Sequence, residues 1–393
     1  MSLRAQPPVH SPLSFAAIAG GLAAAFGLGL GAVPLEHWLL ALGCTRVLRT
    51  DSGTSALGAA LRAASPKLVA LPAWSCYDLA TAAAAADVPV WLYDLDPGTL
   101  GPEPRSLAGA VAAGADVVVV AHLYGVPVDM SAVAAAAGPD ALIVEDAAQG
   151  AGMQVGRHAA GTSGSLGVFS FGRGKGITGG RGGALVANDP RGEQLLEQAG
   201  VLVAPGSRGF AEALPLAAQW LLARPSLYGL PSSLPWLGLG DTLYREPSRW
   251  QRQSALSAGV LASTLQLADR EALRRKRHAE RLLAALGAVP GLSAVRGAPG
   301  STPGWLRLPV LFSRDAERAA ALRSGRPLGV MPAYPQGLAQ LTSFRPRVRN
   351  AGEAHPGAAA LASRLVTLPT HGQLRAADLE ALERWLVASA TAA

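Results

Sequence analysis

The 393-residue sequence predicts an α/β fold: a large domain with a mainly parallel central sheet between helices, followed by a small C-terminal α+β domain. Three observations lead there. From residue 46 onward, short apolar runs alternate with Ala-rich helical stretches, the pattern of a layered domain whose sheet strands are buried on both faces. Polar residues stand just after several of those runs, where a parallel sheet opens its ligand crevice. The chain is also too long for one core, and its 50% apolar content is ample to fill two.

Residues 1–45 read as an N-terminal arm and helix. Ser14 to Leu35 is uncharged and rich in Ala and Gly, long enough in principle to cross a bilayer. It lacks the Leu, Ile and Phe density and the flanking aromatic belts of a span, so a docked helix is expected. Residues 46–250 read as the large domain. Val69 to Leu71, Val88 to Tyr93, Val117 to His122 and Leu142 to Glu145 are its strands, with Leu79 to Ala86 and Ser106 to Gly114 as helices between them. Leu166 to Phe171 and Ala184 to Val186 are further strand ends, joined by a loop holding seven glycines.

An atypical insertion spans about 205–245. It contains the apolar helical run Ala213 to Leu222 and a Pro-, Gly- and Trp-rich segment, 224–244. A substrate lid, a dimer contact and a shallow membrane-docking patch through 213–240 are all open; a loop packed on its own domain or partner is the leading expectation. Residues 251–393 read as a bridging amphipathic helix, Ser257 to Leu286, and a small domain with strands Leu306 to Phe312 and Leu365 to Leu368 and a last helix, Ala377 to Val387.

The formal charge is +7, but the basic residues are dispersed, which argues against a nucleic-acid partner and suits a phosphorylated small substrate. The one dense cluster, Arg274, Arg275, Lys276, Arg277 and His278, falls in a helical pattern and reads as a solvated face. Cys44 and Cys76 have neither disulfide-framework nor metal spacing, and no charged-then-apolar leader opens the chain, so a cytoplasmic protein without a metal is expected.

Lys175, in the glycine-rich loop, is one of only three lysines, with Lys67 and Lys276. Unlike an arginine, its amine can be tuned and can form an imine with an aldehyde. A nucleotide phosphate-binding loop would need a Gly where Phe169 stands and a Ser or Thr where Gly176 stands, so that reading fails; a solvated loop lysine stays open. Ser52 to Leu57 opens a helix whose start, Gly53 to Ser55, suits either a phosphate or ordinary capping. Asp146, just past an apolar run, is a candidate acid or a cap for the next segment. An anion seat at 53–55, a carboxylate at Asp146 and an amine at Lys175, in this order, are the three features pyridoxal 5'-phosphate requires.

The motifs SGTSAL (52–57), HLYG (122–125), EDAAQGAG (145–152), SFGRGK (170–175) and RLVTLPTH (364–371) resemble those of the DegT/DnrJ/EryC1/StrS family of sugar aminotransferases. The resemblance covers about 46–187 and resumes from about 254. It implies fold type I, the cofactor pyridoxal phosphate and a homodimer. Lys175 matches the cofactor-linked lysine that shuttles the substrate proton, and Asp146 the acid that holds the ring nitrogen protonated. Gln149 matches a residue beside the ring; Gly53, Thr54 and Ser170 match phosphate binders. Cys76 stands where an aromatic usually covers the ring, with Trp74 and Tyr77 beside it. Arg181 replaces a usual acid, so an anionic contact is expected there. The family's Asn-Tyr-Arg motif, which reaches the neighbouring subunit's phosphate, is not legible near Trp250 to Ser254, where Arg252 is a possible remnant.

The function implied is amino transfer, from glutamate, to a nucleotide-linked keto sugar in polysaccharide or natural-product biosynthesis. A non-catalytic or membrane-associated member, or an enzyme acting on a non-sugar ketone, is the alternative. Dehydration is disfavoured because the family's dehydratases carry His at the lysine position.

Overall fold

A computed structural model describes residues 4–29, 31, 33–234, 242–287 and 289–391. Among them, the first sheet contains β1 (Arg46–Thr50), β2 (Val69–Pro72), β3 (Val90–Tyr93), β4 (Val117–Ala121) and β5 (Leu142–Asp146). A small hairpin of β6 (Gln154–Val155) and β7 (His158–Ala159) follows, then the sheet resumes with β8 (Leu166–Ser170) and β9 (Gly183–Ala187). The strand order is β1-β9-β8-β5-β4-β2-β3. The five strands from β8 to β3 run parallel, while β9 is antiparallel to both β8 and β1. Because β1 therefore runs in the direction of β8, its carboxyl end joins those of β2, β4, β5 and β8 on one edge.

Alternation along the strands divides the core in two. Leu71, Val117 and Val119 pack on one face with Leu57, Leu61 and Ala80 from the helices Gly53–Ala64 and Tyr77–Ala86. Ala70, Val118 and Val120 pack on the other with Leu107, Ala110 and Val133 from the helices Pro104–Ala112 and Met130–Ala137. Each of these strand residues is buried, so truncating one, such as Val119 to Ala, removes about 2–4 kcal/mol.

The second sheet is antiparallel, in the order β10 (Leu292–Ala294), β11 (Arg307–Phe312), β13 (Leu365–Pro369), β12 (Met331–Pro332). Helices Ala268–Leu286, Asp315–Gly325 and Ala376–Thr391 cover it.

Three sequence expectations change. The docked N-terminal helix is two helices, Phe15–Ala25 and Val33–Ala41, because Gly27, Gly29 and Gly31 between them hold positive φ of 85°, 105° and 55°. Its Ala/Gly richness serves close packing: a Cβ on Gly21 would lie 2.5 Å from Val260 in the helix Ala255–Leu265. Among the described residues no helix is long and apolar enough to cross a membrane. The bridging helix is also split, Ala255–Leu265 and Ala268–Leu286, at Gln266 and Leu267.

The basic cluster is not wholly a solvated face. Arg275 is buried, its Nε donating to the Gly304 carbonyl (3.0 Å) and Nη2 to that of Ala151 (2.8 Å). Burial pulls its pKa down to about 10, against the opposing charge of Glu271.

The insertion packs on its own chain over its described part. Helix Ala213–Leu222 lies against Phe15–Ala25, with Leu216 buried beside Ile18 and Val260 and the Phe15 and Trp220 rings 6.0 Å apart. Residues 235–241 of the insertion lie outside the described residues.

Candidate active site

The site is built on the shared carboxyl edge of the large sheet. Asp146 ends β5 and is 8% exposed. Its Oδ1 accepts the Ala148 N–H at 2.9 Å. Burial raises its pKa above the ordinary carboxylate value, outweighing the Ala148 N–H and the charges of Lys175 and His122.

The preceding residue holds Asp146 in place. Glu145 is fully buried and receives four bonds: His122 Nε2 (2.8 Å) and Gly161 N–H (2.7 Å) on Oε1, Ser163 N–H (2.7 Å) and Gly164 N–H (3.2 Å) on Oε2. His122 Nδ1 accepts the Val128 N–H at 3.1 Å, so the ring proton sits on Nε2 and points at Glu145. Burial alone would push the Glu145 pKa up; the His122 bond and charge and the backbone N–H groups together bring it below its ordinary value.

Lys175 is half-buried in the loop between β8 and β9. That loop has its own brace. Ser11 Oγ accepts the Gly174 N–H (3.2 Å) and donates to the Lys175 carbonyl (2.9 Å). Ser11 is 4% exposed, and its segment is fastened elsewhere by Ala5 N–H to the Pro225 carbonyl, Gln6 N–H to that of Pro327 and His371 Nε2 to that of Pro7. Buried His371 thus pins the arm; burial pulls its pKa down to about 3.

Gly53 begins its helix behind the Ser52 cap, whose hydroxyl accepts the Ser55 N–H at 3.1 Å. A Cβ on Gly53 would meet the Ser170 Cβ at 2.9 Å and the Phe169 carbonyl at 3.3 Å, so only glycine lets this helix start approach the end of β8. Gly53, Thr54 and Ser170 therefore lie together beside free helix N–H groups, a cradle that suits a phosphate.

Gln149 links the two sheets. Its Oε1 accepts the Tyr124 N–H (2.8 Å) and its Nε2 donates to the Tyr334 hydroxyl (3.0 Å). Tyr124 holds φ +58°, a strained value for a bulky residue that the surroundings must enforce, and its ring stacks on Tyr334 at 5.7 Å. Trp74 and Tyr77 join this cluster: Trp74 Nε1 donates to the Tyr334 carbonyl and the Tyr77 hydroxyl to that of Gln336. Both are buried there, which leaves half-buried Cys76, at the start of the helix Tyr77–Ala86, facing the charges of Lys175 and Asp146.

Lys175, Asp146 and Cys76 thus lie near enough to feel one another's charge, with the cradle of Gly53, Thr54 and Ser170 on the same sheet edge. Arg181 approaches an anion of its own chain, Asp51, at 3.9 Å.

Comparison with known proteins identifies the family. The family model described as the DegT/DnrJ/EryC1/StrS aminotransferase family matches residues 40–384. The chain belongs to that family. It is 30% identical over 258 residues to an L-glutamine:2-deoxy-scyllo-inosose aminotransferase of Micromonospora echinospora, a match covering 64% of this chain and 56% of the relative. The chain spans about half the length of the curated relatives it matches.

Among solved folds, the sugar aminotransferase CalS13 from Micromonospora echinospora superposes with TM-score 0.77 at 22% identity, covering 97% of this chain and 99% of that one. The E. coli GDP-4-keto-6-deoxy-D-mannose-3-dehydratase, solved with bound hydrated pyridoxal phosphate, gives 0.76 at 17%, covering 98% and 99%. The fold is that of the fold-type-I transferases, and pyridoxal phosphate is the family's cofactor.

The residues present fit that cofactor. The sheet edge offers a primary amine, a buried carboxylate whose second oxygen takes no backbone bond among the described residues, and a helix start where a Cβ on Gly53 would meet Ser170. Sequence reasoning missed Ser11, which carries no local motif, and did not join Tyr124 of the HLYG motif to Tyr334, whose contact needs the two sheets assembled.

Proposed function

We propose that the chain is a pyridoxal-phosphate-dependent aminotransferase that moves an amino group from glutamate to a nucleotide-linked keto sugar. The observation that supports the reading is the buried Asp146 carboxylate at the carboxyl edge of the sheet, near enough to Lys175 to feel its charge, with the glycine cradle on the same edge. When bound, the cofactor supplies an electron-withdrawing ring that acidifies the C–H beside the substrate nitrogen.

Each residue has its part. Lys175 takes that proton and returns it at the adjoining position, tethered where transfer is effectively intramolecular. Asp146 keeps a proton on the ring nitrogen, and a cation there offsets the cost of its own burial. Gly53, Thr54 and Ser170 hold the phosphate, while Cys76 and Gln149 bound the ring. In the net exchange the donor amine replaces the acceptor's carbonyl oxygen and the donor leaves as a keto acid. Water is taken up in one half and released in the other.

A second acceptor class, a free polyhydroxylated cyclic ketone, is favoured by the names of the curated relatives, which act on inososes with L-glutamine as donor. A homodimer in which the partner completes the site belongs to the same proposal.

The test is an absorbance spectrum of the purified protein before and after glutamate or glutamine, with Lys175→Ala alongside. Keto-sugar nucleotides and scyllo-inosose are then supplied as acceptors. Donor-dependent bleaching, absent in the variant and reversed by an acceptor, is expected. No cofactor band after reconstitution would overturn the reading and favour a non-catalytic member.

A further inference from the structure

A cleft of about 550 Å³ lies where separate parts of the chain meet. Arg4 and His10 come from the N-terminal arm, Arg224 from the insertion, Glu271 and Arg274 from the helix Ala268–Leu286, and Arg375 from the turn before the helix Ala376–Thr391. None of Lys175, Asp146, Gln149, Gly53, Thr54 and Ser170 lines it. The arm is fixed here at two points, by the Ala5 N–H on the Pro225 carbonyl (3.0 Å) and by the Gln373 side-chain amide on His10 Nε2 (3.1 Å). Tertiary contacts therefore build the cleft.

Four arginines and one carboxylate stand on its wall among the described residues. Glu271 is committed to Arg274 (2.7 Å), and Arg4 meets Asp378 (2.7 Å). Among the described residues, neither remaining guanidinium has an acidic partner. That of Arg224 lies over the Trp220 ring, 4.1 Å from its centroid; of the Arg375 donors only the backbone N–H is used, by Asp378 Oδ2 at 2.9 Å. The helix Ala376–Thr391 adds the positive end of its dipole. His10 adds a neutral donor. Its Nε2 accepts from Gln373, so the ring proton sits on Nδ1, which is buried without an acceptor. Burial pulls its pKa down to about 4, against the charge of Glu271, so the ring is uncharged at neutral pH. A buried donor with no acceptor is unfavourable, and an oxyanion supplies one.

We propose that this cleft binds a small molecule carrying a diphosphate, held by Arg224 and Arg375 with the His10 Nδ1–H beside them. Guanidinium groups match phosphate oxygens in paired, charge-assisted contacts, and two uncompensated ones call for more than a single negative charge. The volume lies within the range of about 300–1,000 Å³ that small-molecule sites occupy, more than a simple ion needs. Glu271, held by Arg274, leaves the charge of the other two uncancelled. The site stands apart from the proposed chemistry, and no step of amino transfer runs through it. His10 precedes Ser11, whose hydroxyl holds the lysine loop, so an occupant also fastens the segment that carries that brace.

The test is a calorimetric titration with inorganic diphosphate, ADP and sulfate at about 0.15 M salt. The protein is first reconstituted with pyridoxal phosphate and freed of excess, so that the cradle at Gly53 is filled. Diphosphate should bind with Kd below about 1 mM and at least about tenfold more tightly than sulfate. Equal affinity for ADP assigns recognition to the diphosphate alone, and tighter binding of ADP adds a nucleoside; both support the site. Arg224→Gln and Arg375→Gln should each weaken diphosphate about 3- to 30-fold, with thermal melting to check that both fold. Hydrogen exchange should slow on binding in peptides from 4–11, 222–228 and 371–376. No binding up to about 5 mM, sulfate binding as tightly as diphosphate, variants that bind undiminished, or protection at 52–57 instead would overturn the proposal.

Discussion

Glu145→Gln tests the frame that holds Asp146. The carboxylate accepts two donors on each oxygen: His122 Nε2–H and the Gly161 N–H on one, the Ser163 and Gly164 N–H groups on the other. An amide can accept on one side only. With its oxygen toward His122 and Gly161, its NH2 faces the two remaining N–H groups and leaves both unpaired. Unpaired buried donors cost about 1–3 kcal/mol each, and disrupting a buried charged network of this kind costs about 3–5 kcal/mol. At about 2 °C per kcal/mol for a chain of this size, the melting temperature should fall by roughly 6–10 °C.

The pH dependence is fixed in sign. The folded pKa of Glu145 lies below its ordinary 4.5, so its stabilisation is fully present above that value and is lost as the pH falls through the folded pKa. The melting gap between wild type and variant should therefore be constant at neutral pH and close in acid. Calorimetry across the pH range reads both quantities. A gap under about 2 °C, or one that widens in acid, would refute the reasoning.

Lys175→Arg keeps the positive charge and removes the reactive amine, so activity and the absorbance response to donor should both be lost; an active variant would refute the assignment. Asp146→Asn removes a carboxylate whose pKa burial raises, so the cofactor-free variant should melt about 1–3 °C higher at neutral pH, with the difference shrinking in acid as wild-type Asp146 protonates. The same variant should retain cofactor poorly on gel filtration, and undiminished retention would contradict its role. Ser11→Ala loses both bonds to the lysine loop; kcat should drop about 3- to 10-fold with KM changed less than twofold, and Ser11→Thr should restore it.

Much of this organisation is legible in the sequence for a physical reason. Val117 to Ala121 is so apolar that only a strand buried on both faces suits it, and the last residues of the next two strands in the sheet, Asp146 and Ser170, then fall on the ligand edge. What was not legible depends on partners distant along the chain. Arg275 looks solvated in a basic run until the carbonyl of Ala151, 124 residues away, accepts its guanidinium. Ser11 sits in a segment without periodicity, and its partners lie 163 and 164 residues ahead. Arg224 and Arg375 read as ordinary surface arginines, and the cleft they share forms only when the arm, the insertion and the last helix meet. The break between the two N-terminal helices was available from Gly27, Gly29 and Gly31, whose spacing admits no continuous helix at those φ values.

The central claim is that the chemistry runs through Lys175, and the three lysines of the chain allow a direct test. The reconstituted protein is reduced with borohydride, digested and mapped by mass spectrometry. The account predicts the cofactor's mass on the Lys175 peptide alone. Label on Lys67 or Lys276 instead, or on no lysine in protein that carries bound cofactor, would contradict it.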